Sequence, residues 1–220
     1  EKLVPSTPIG CKRLCVDTHY YEIYNQAHVS LVDLNETPIT RIEGNAILTG
    51  TIRCEVDAIV LATGFDAMTG AVMNIDIRGK NGLSLQDKWA TGPKAYLGLA
   101  TAGFPNLFLV TGPGSPSVLS NMLPSIEQHV EWIASCIEFM DRHQHRSIDP
   151  DRDAEEAWIE HVNEVADTSV YPGCNSWYLG ANVEGKSRVF MPYLGVPPYV
   201  EKCNEVVAAG YAGFKLSGTS

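Results

Sequence analysis

The run Val56-Asp57-Ala58-Ile59-Val60-Leu61-Ala62-Thr63-Gly64-Phe65-Asp66 constrains the fold more than any other part of the chain. Five apolar residues, Ala58 to Ala62, lead without interruption into Thr63-Gly64, the pattern of a short strand buried on both faces and ended by a glycine turn. Such strands belong to doubly wound α/β domains, whose ligands lie beyond the carboxyl ends of the strands. The pattern therefore puts Thr63-Gly64 near whatever the chain binds.

A second unit repeats the theme. Pro105-Asn106-Leu107-Phe108-Leu109-Val110-Thr111 reads as a buried strand, Gly112-Pro113-Gly114-Ser115-Pro116-Ser117 as a loop. A helix follows, with Leu119, Met122, Leu123, Ile126, Val130, Ile133, Ile137 and Met140 at helical spacing. Strand, glycine-rich turn and helix N-terminus together present free backbone N–H groups to a polar ligand. Pro124 places the helix start near Asn121, because proline is tolerated only in the first turn.

Elsewhere the signals are weaker. Tyr20 to Gln26 reads as a short helix and Val29 to Leu34 as a strand. Residues 39 to 55 alternate as a hairpin turning at Gly44-Asn45, and Tyr96 to Leu99 reads as a strand. His143 to Asp153 reads as a surface loop. Asp153 is the expected cap of a helix through Ala166 with Trp158, Val162 and Val165 inward. Val200 to Ala209 is the expected last helix, closed by Gly210.

Composition excludes several function classes. Sixteen Lys and Arg against 26 Asp and Glu give a net charge of −10, which disfavours a general nucleic-acid or acidic-membrane surface. No apolar run reaches 18 residues, so no membrane span is expected. Cys11, Cys15, Cys54, Cys136, Cys174 and Cys203 show no CxxC spacing and read as reduced thiols of a cytosolic protein. The six histidines lack metal spacing, and Ser115 and Ser117 lack the context of a hydrolase. Neither GxGxxG nor GxxxxGK[ST] occurs. Spacing alone supports no more than part of an α/β nucleotide-binding protein, a piece of something longer.

The wording of the motifs goes further. Lys12-Arg13 with Asp17 and Tyr20-Tyr21-Glu22, then Ala62-Thr63-Gly64-Phe65-Asp66-Ala67-Met68-Thr69-Gly70, resembles the Baeyer–Villiger monooxygenases. So do Tyr96-Leu97-Gly98, Gly103-Phe104-Pro105-Asn106-Leu107-Phe108, Gly112-Pro113-Gly114-Ser115-Pro116, Ser125 through Trp132, and Ser176-Trp177-Tyr178-Leu179-Gly180-Ala181-Asn182. The chain is most similar to the phenylacetone and steroid monooxygenase type, as the C-terminal part of such an enzyme.

The resemblance implies an α/β fold: the C-terminal part of a flavoprotein with two Rossmann-like dinucleotide-binding domains, one for FAD and one for NADP. Residues 1–60 would be the last segment of the NADP-binding domain and 61–220 the returning segment of the FAD-binding domain with its loop-rich lobe. The implied reaction inserts one oxygen of O₂ beside a ketone carbonyl to give an ester or lactone, using NADPH and FAD through a C4a-peroxyflavin. By residue match, Arg13 would be the catalytic cation. Lys12, Arg13 and Trp177 would bind NADP, Lys12 at its 2′-phosphate and Trp177 at the nicotinamide-ribose end, and the Met122 backbone N–H would meet the flavin. Pro116, Ser117, Val118 and Leu119 would line the ketone pocket. The implied partners are a ketone, O₂ and the upstream part of the same enzyme, in the cytoplasm.

Other readings compete. A Lys-Arg pair in a loop is commonly solvated surface, and Trp177 and Met122 have ordinary packing roles open to them. The alternatives in function are an N- or S-oxygenating flavin monooxygenase, or an inactive fragment lacking its FAD-binding half.

Overall fold

The computed structural model describes residues 2–5, 7–181 and 189–218, and Asn182 lies outside them. Two compact units divide the chain: residues 1–6 with 14–64, and residues 7–13 with 65–220.

The first unit is built on a three-stranded antiparallel meander of β1 (Ile39–Glu43), β2 (Ala46–Thr49) and β3 (Arg53–Glu55). Ile42 faces Ile47 and Ile47 faces Cys54 across the ladders. The β1–β2 turn falls at the expected Gly44-Asn45, where Gly44 takes φ +61°. A 3₁₀ turn, Glu22–Asn25, stands where a short helix is expected.

Two strands expected in this unit do not form. At Val29 to Leu34, Asp33 instead closes a local turn, its side chain accepting from Asn35 N at 2.9 Å and its carbonyl from Thr37 N at 2.9 Å. An aspartate that offers the backbone such partners competes with a ladder. Ala58 to Ala62 is likewise without ladder pairing among the described residues, and Val60 and Leu61 are 87% and 77% exposed. A doubly buried strand needs strands on both sides, and the described residues supply none.

The second unit opens with two short helices, α1 (Gly70–Met73) and α2 (Leu85–Lys88). Tyr96 to Leu99 is a tight turn rather than a strand: Leu97 and Gly98 take φ +56° and +69°, and Tyr96 bridges Ala100. Pro105 to Val110 is also irregular, because Asn106 takes φ +60°. Its side chain substitutes for a strand edge, accepting from Ile148 N at 3.0 Å and donating to Arg146 O at 3.1 Å.

The long helix α3 (Met122–Arg142) begins as expected, with the Asn121 side chain accepting from Leu123 N at 3.2 Å and Pro124 in the first turn. Its buried face is Ser125, His129, Trp132, Cys136 and Met140, whereas Leu123, Val130 and Ile137 are exposed. The neighbours of the helix, not hydropathy, choose that face: Trp132 packs on Tyr211 with ring centroids 5.2 Å apart and His129 bonds Tyr199.

His143 to Asp153 is no loop. It holds β4 (His145–Pro150) and the start of α4 (Arg152–Asp167). Asp151, not Asp153, caps α4, accepting from Asp153 N at 2.9 Å. Trp158 and Val162 face inward as expected and Val165 is partly buried. The last helix, α5 (Val196–Ala208), starts four residues early with Pro197 and Pro198 in its first turn, and Gly210 closes it at φ +70°. β5 (Phe214–Gly218) pairs antiparallel with β4.

The core of this unit is aromatic, with Trp132, Trp158, Tyr178, Tyr199 and Tyr211 buried together. Two buried carboxylates tie the Thr101–Phe104 loop to it. Glu155 on α4 receives Lys88 Nζ at 2.8 and 2.9 Å and Ala102 N at 2.8 Å. Asp149 on β4 receives Gly103 N at 2.8 Å and Lys80 Nζ at 2.7 Å. Burial pushes the Lys88 amine below its usual range against the pull of Glu155.

The reduced-thiol expectation fails at one pair: Cys11 and Cys174 form a disulfide between residues 163 apart in sequence. Both are buried and their Cα atoms lie 5.4 Å apart, so the fold itself delivers the pairing. Cys15, Cys54, Cys136 and Cys203 are free thiols.

Candidate functional site

The second unit contains a cavity of about 450 Å³, whose lining includes Met68, Trp89, Thr111, Ser117, Val118 and Met122. That volume lies in the range of small-molecule and cofactor sites. Local geometry explains how the last three residues meet. Ser117–Leu119 is a single 3₁₀ turn in which Ser117 takes φ +26°, and the chain then reverses through Ser120 and Asn121 into α3. Met122 thus stands at the first helical position, where backbone N–H groups have no partner within the helix.

Ser117 marks the cavity chemically. Its side chain is 1% exposed and its Oγ has no hydrogen-bond partner among the described residues. A buried hydroxyl left unpaired costs free energy, so an orphan that lines a cavity is an observation in favour of a polar ligand there. A group with both a flat apolar body and hydrogen-bonding edges, such as a flavin ring, fits a lining of Trp89, Val118 and Met122 with one buried hydroxyl and a helix N-terminus. Pro116 is buried and Leu119 half-buried within the same turn, but neither lines this cavity.

The wall behind the turn is backbone packed on backbone. A Cβ on Gly98 would stand 2.7 Å from Ser115 Cβ, 2.8 Å from Ser115 N and 2.9 Å from Gly112 O. Only glycine permits that approach, and φ +69° requires it independently. Next to it Thr111, a β-branched residue, takes φ +54° and donates its N–H to Nδ1 of buried His129 at 2.8 Å. Burial pulls the His129 imidazole down to about 4, which keeps it neutral.

Lys12, Arg13 and Trp177 lie outside the cavity lining. The disulfide at Cys11 anchors the segment carrying Lys12 and Arg13 to the one carrying Trp177. Both cations are exposed, and Arg13 donates from Nη1 to Val118 O at 3.4 Å. Arg13 therefore touches a residue of the cavity wall. Burial raises the pKa of Tyr178, and Arg13 opposes that rise. Half-buried Trp177 leads a 3₁₀ turn, Trp177–Leu179, capped by Ser176, and packs on Tyr178 with ring centroids 4.3 Å apart. The structure thus brings Arg13, Ser117, Val118 and Met122 into one neighbourhood.

Sequence reasoning missed Gly98 and His129 as site-building residues. The available signals were a glycine between two apolar residues and a histidine at helical spacing from Ser125 and Trp132. No group of three His, Cys, Asp or Glu suited to a metal occurs among the described residues. Nor is any described helix long and apolar enough to cross a membrane.

No protein-family model matches the chain. Individual proteins match over nearly all of it. It is 41% identical over 221 residues to cyclopentanone 1,2-monooxygenase of Comamonas sp., covering 99% of this chain and 40% of the relative. It is 42% identical over 218 residues to phenazine N-monooxygenase PhzNO1 of Lysobacter antibioticus, covering 98% and 40%. It is 38% identical over 213 residues to the Baeyer–Villiger monooxygenase of Pseudooceanicola batsensis, covering 96% and 38%. Among solved structures, oxidized steroid monooxygenase bound to NADP superposes with a TM-score of 0.87 at 46% identity, over 96% of this chain and 40% of that one. OTEMO in complex with FAD and NADP gives 0.91 at 37%, over 98% and 40%. The chain is thus a relative of the Baeyer–Villiger monooxygenases along its whole length, spanning about two-fifths of the proteins it matches.

Proposed function

We propose that this chain is the substrate-facing part of an NADPH- and FAD-dependent monooxygenase that inserts oxygen beside a ketone carbonyl, giving an ester or lactone. The observation that carries the reading is the cavity shared by Ser117, Val118 and Met122 with Arg13 hydrogen-bonded to Val118 O. Residues 1–60 belong, in this reading, to the NADP-binding domain and 61–220 to the FAD-binding domain. The remainder of the enzyme supplies the other walls of both. A cytosolic setting, with its NADPH pool, is part of the same proposal.

When bound, FAD supplies the activation of O₂ that side chains cannot perform. The chain's own residues do the rest. Met122 offers its backbone N–H to the flavin at the first helical position. Val118 and the neighbouring apolar wall exclude water, and Ser117 Oγ gives the ketone or the flavin edge a hydrogen bond. Pro116 and Leu119 hold the turn that presents them. Negative charge developing on the carbonyl oxygen is stabilised by the guanidinium of Arg13, whose planar fork of N–H donors suits an oxyanion. Lys12 binds the 2′-phosphate of NADP as a point charge, and Trp177 contacts the nicotinamide-ribose end.

A second reading has a specific observation behind it. One 42% identical relative is named a phenazine N-monooxygenase, which supports oxygenation of a heteroatom as the alternative. Arg13 separates the two, because a nucleophilic nitrogen develops no anionic carbonyl oxygen to stabilise. In the full-length enzyme, Arg13→Ala is expected to abolish ester formation while NADPH oxidation stays measurable. Near-normal ester formation in that variant would remove Arg13 from the mechanism, and an unaffected N-oxide as the sole product would favour the second reading.

A further inference from the structure

The wall of the cavity rests on a hydrogen-bond relay that the reaction itself does not use. His129 Nδ1 lies 2.8 Å from Thr111 N, its Nε2 lies 2.8 Å from Tyr199 Oη, and Tyr199 Oη lies 2.7 Å from Leu97 O. The two ends fix the protons between them. Thr111 N–H can only donate and Leu97 C=O can only accept, so Nδ1 is bare, Nε2–H donates to Oη, and Oη–H donates to Leu97. All polar atoms are satisfied in the neutral Nε2–H tautomer and in no other. Both side chains are buried, His129 at 0% and Tyr199 at 1% exposure.

What the relay joins is informative. Thr111 and Leu97 are both non-glycine residues held at positive φ, +54° and +56°. Such residues persist only where their surroundings over-determine them, and they cluster at functional sites. Each opens a turn, Leu97-Gly98 and Thr111-Gly112, and the two turns touch through Gly98, Gly112 and Ser115. Leu109 N adds a bond to Leu99 O at 2.7 Å. Thr111 and Gly112 line the cavity that also holds Ser117 and Met122.

We propose that His129 is a positioning residue: from helix α3 it clamps the two left-handed turns together, through its own Nδ1 on one side and Tyr199 on the other, and so sets the wall against which the flavin and ketone lie. The ligand part of this inference rests on the proposed function, and the clamp itself does not. The device needs two acceptor–donor arms of different length from one side chain. It explains why a residue with hydrogen-bonding edges on both sides of a flat ring sits at the centre of a helix face otherwise packed by Trp132, Cys136 and Met140.

Two substitutions separate the clamp from mere core filling. In His129→Asn, Oδ1 stands near the place of Nδ1 and can still accept from Thr111. In His129→Gln, the amide reaches toward Tyr199 and the Thr111 arm is lost. In the full-length protein, hydrogen exchange at the Thr111 amide should stay within threefold of wild type in His129→Asn and accelerate at least tenfold in His129→Gln. The dissociation constant for FAD, read by flavin fluorescence, should follow the same order. Long-range ¹⁵N–¹H spectra of the wild type should show His129 as the Nε2–H tautomer. Equal exchange rates and equal flavin affinity in the two variants, or an Nδ1–H tautomer in the wild type, would overturn the clamp. A wild-type protein that binds no FAD would sink the functional reading, and the exchange and tautomer measurements would still decide the clamp.

Discussion

Removing the charge of Lys88 should cost this fold more than any surface ion pair. Its side chain is 12% exposed and that of Glu155 2%, and the two meet at 2.8 and 2.9 Å. Lys88 Nζ also donates to Ala102 O at 2.5 Å, and Glu155 accepts from Ala102 N at 2.8 Å and Thr101 Oγ1 at 3.1 Å. Lys88→Met keeps the apolar stem and removes every one of the ammonium's bonds, leaving a carboxylate buried beside a neutral group. Breaking a buried pair in this way costs about 3–5 kcal/mol, far above the ~0–1 kcal/mol of an exposed pair. For a unit of this size each kcal/mol moves the melting temperature by roughly 2–4 °C, so Lys88→Met should melt about 6–20 °C below wild type. Lys88→Met/Glu155→Gln should recover more than half of that loss. The glutamine keeps an acceptor for Ala102 N–H and removes the stranded charge, so scanning calorimetry on the three proteins isolates the charge from the packing. A Lys88→Met melting temperature within about 2 °C of wild type would refute the argument, because it would mean that water reaches the pair and relieves it.

Other perturbations test other joints of the same unit. Gly98→Ala forces a methyl against Ser115 and Gly112 backbone at under 3 Å in a left-handed conformation, and should destabilise by about 3 kcal/mol in urea titration. A loss below 1 kcal/mol would mean that the two turns separate freely. Cys174→Ser opens a 163-residue loop, worth up to about 5 kcal/mol on chain entropy, so the oxidised protein should lose stability and the reduced one should not. Equal melting temperatures of wild type with and without reductant would contradict that. Acid should act through His129. Its folded value of about 4 lies below the usual 6.5, so the unfolded chain binds the extra proton between them. The contribution is complete above pH 6.5 and is lost as pH falls toward 4, by about 3 kcal/mol in all. His129→Asn should flatten that slope in urea midpoints measured across the window, and an unchanged slope would assign it to other groups. Lys12→Ala should weaken NADPH much more than NADH, and equal weakening would remove the 2′-phosphate role.

The residues show why some of this was legible in the sequence and some was not. Asn121 and Pro124 set the start of α3 by short-range chemistry, cap and ring, that no distant partner can alter. Gly44 and Gly210 announce their turns for the same reason. β4 is different: His145 to Pro150 is polar and becomes a strand only because Phe214–Gly218 pairs with it from across α4 and α5. Apolar Ala58 to Ala62 shows the converse, a strand pattern without strand neighbours among the described residues. At the site, the resemblance selects Ser117, Val118 and Met122, and the fold brings those three to one cavity. His129 escaped notice because its role comes from Thr111 and Tyr199, one 18 residues before it and one 70 after it. Histidine arithmetic along the sequence looks for metal spacing and does not see a clamp. The Cys11–Cys174 pair escaped for the same reason, since 163 intervening residues leave no local trace.

The most direct test of the central claim is isotopic. The full-length enzyme, loaded with FAD, is turned over with NADPH, a simple cyclic ketone and ¹⁸O₂, and the product is read by mass spectrometry. The account predicts a lactone carrying one ¹⁸O at its ring oxygen, with the carbonyl oxygen unlabelled, and no lactone from the Arg13→Ala enzyme under the same conditions. Steady consumption of NADPH and O₂ without labelled lactone from any ketone offered, together with labelled oxide from an aromatic nitrogen substrate, would contradict it.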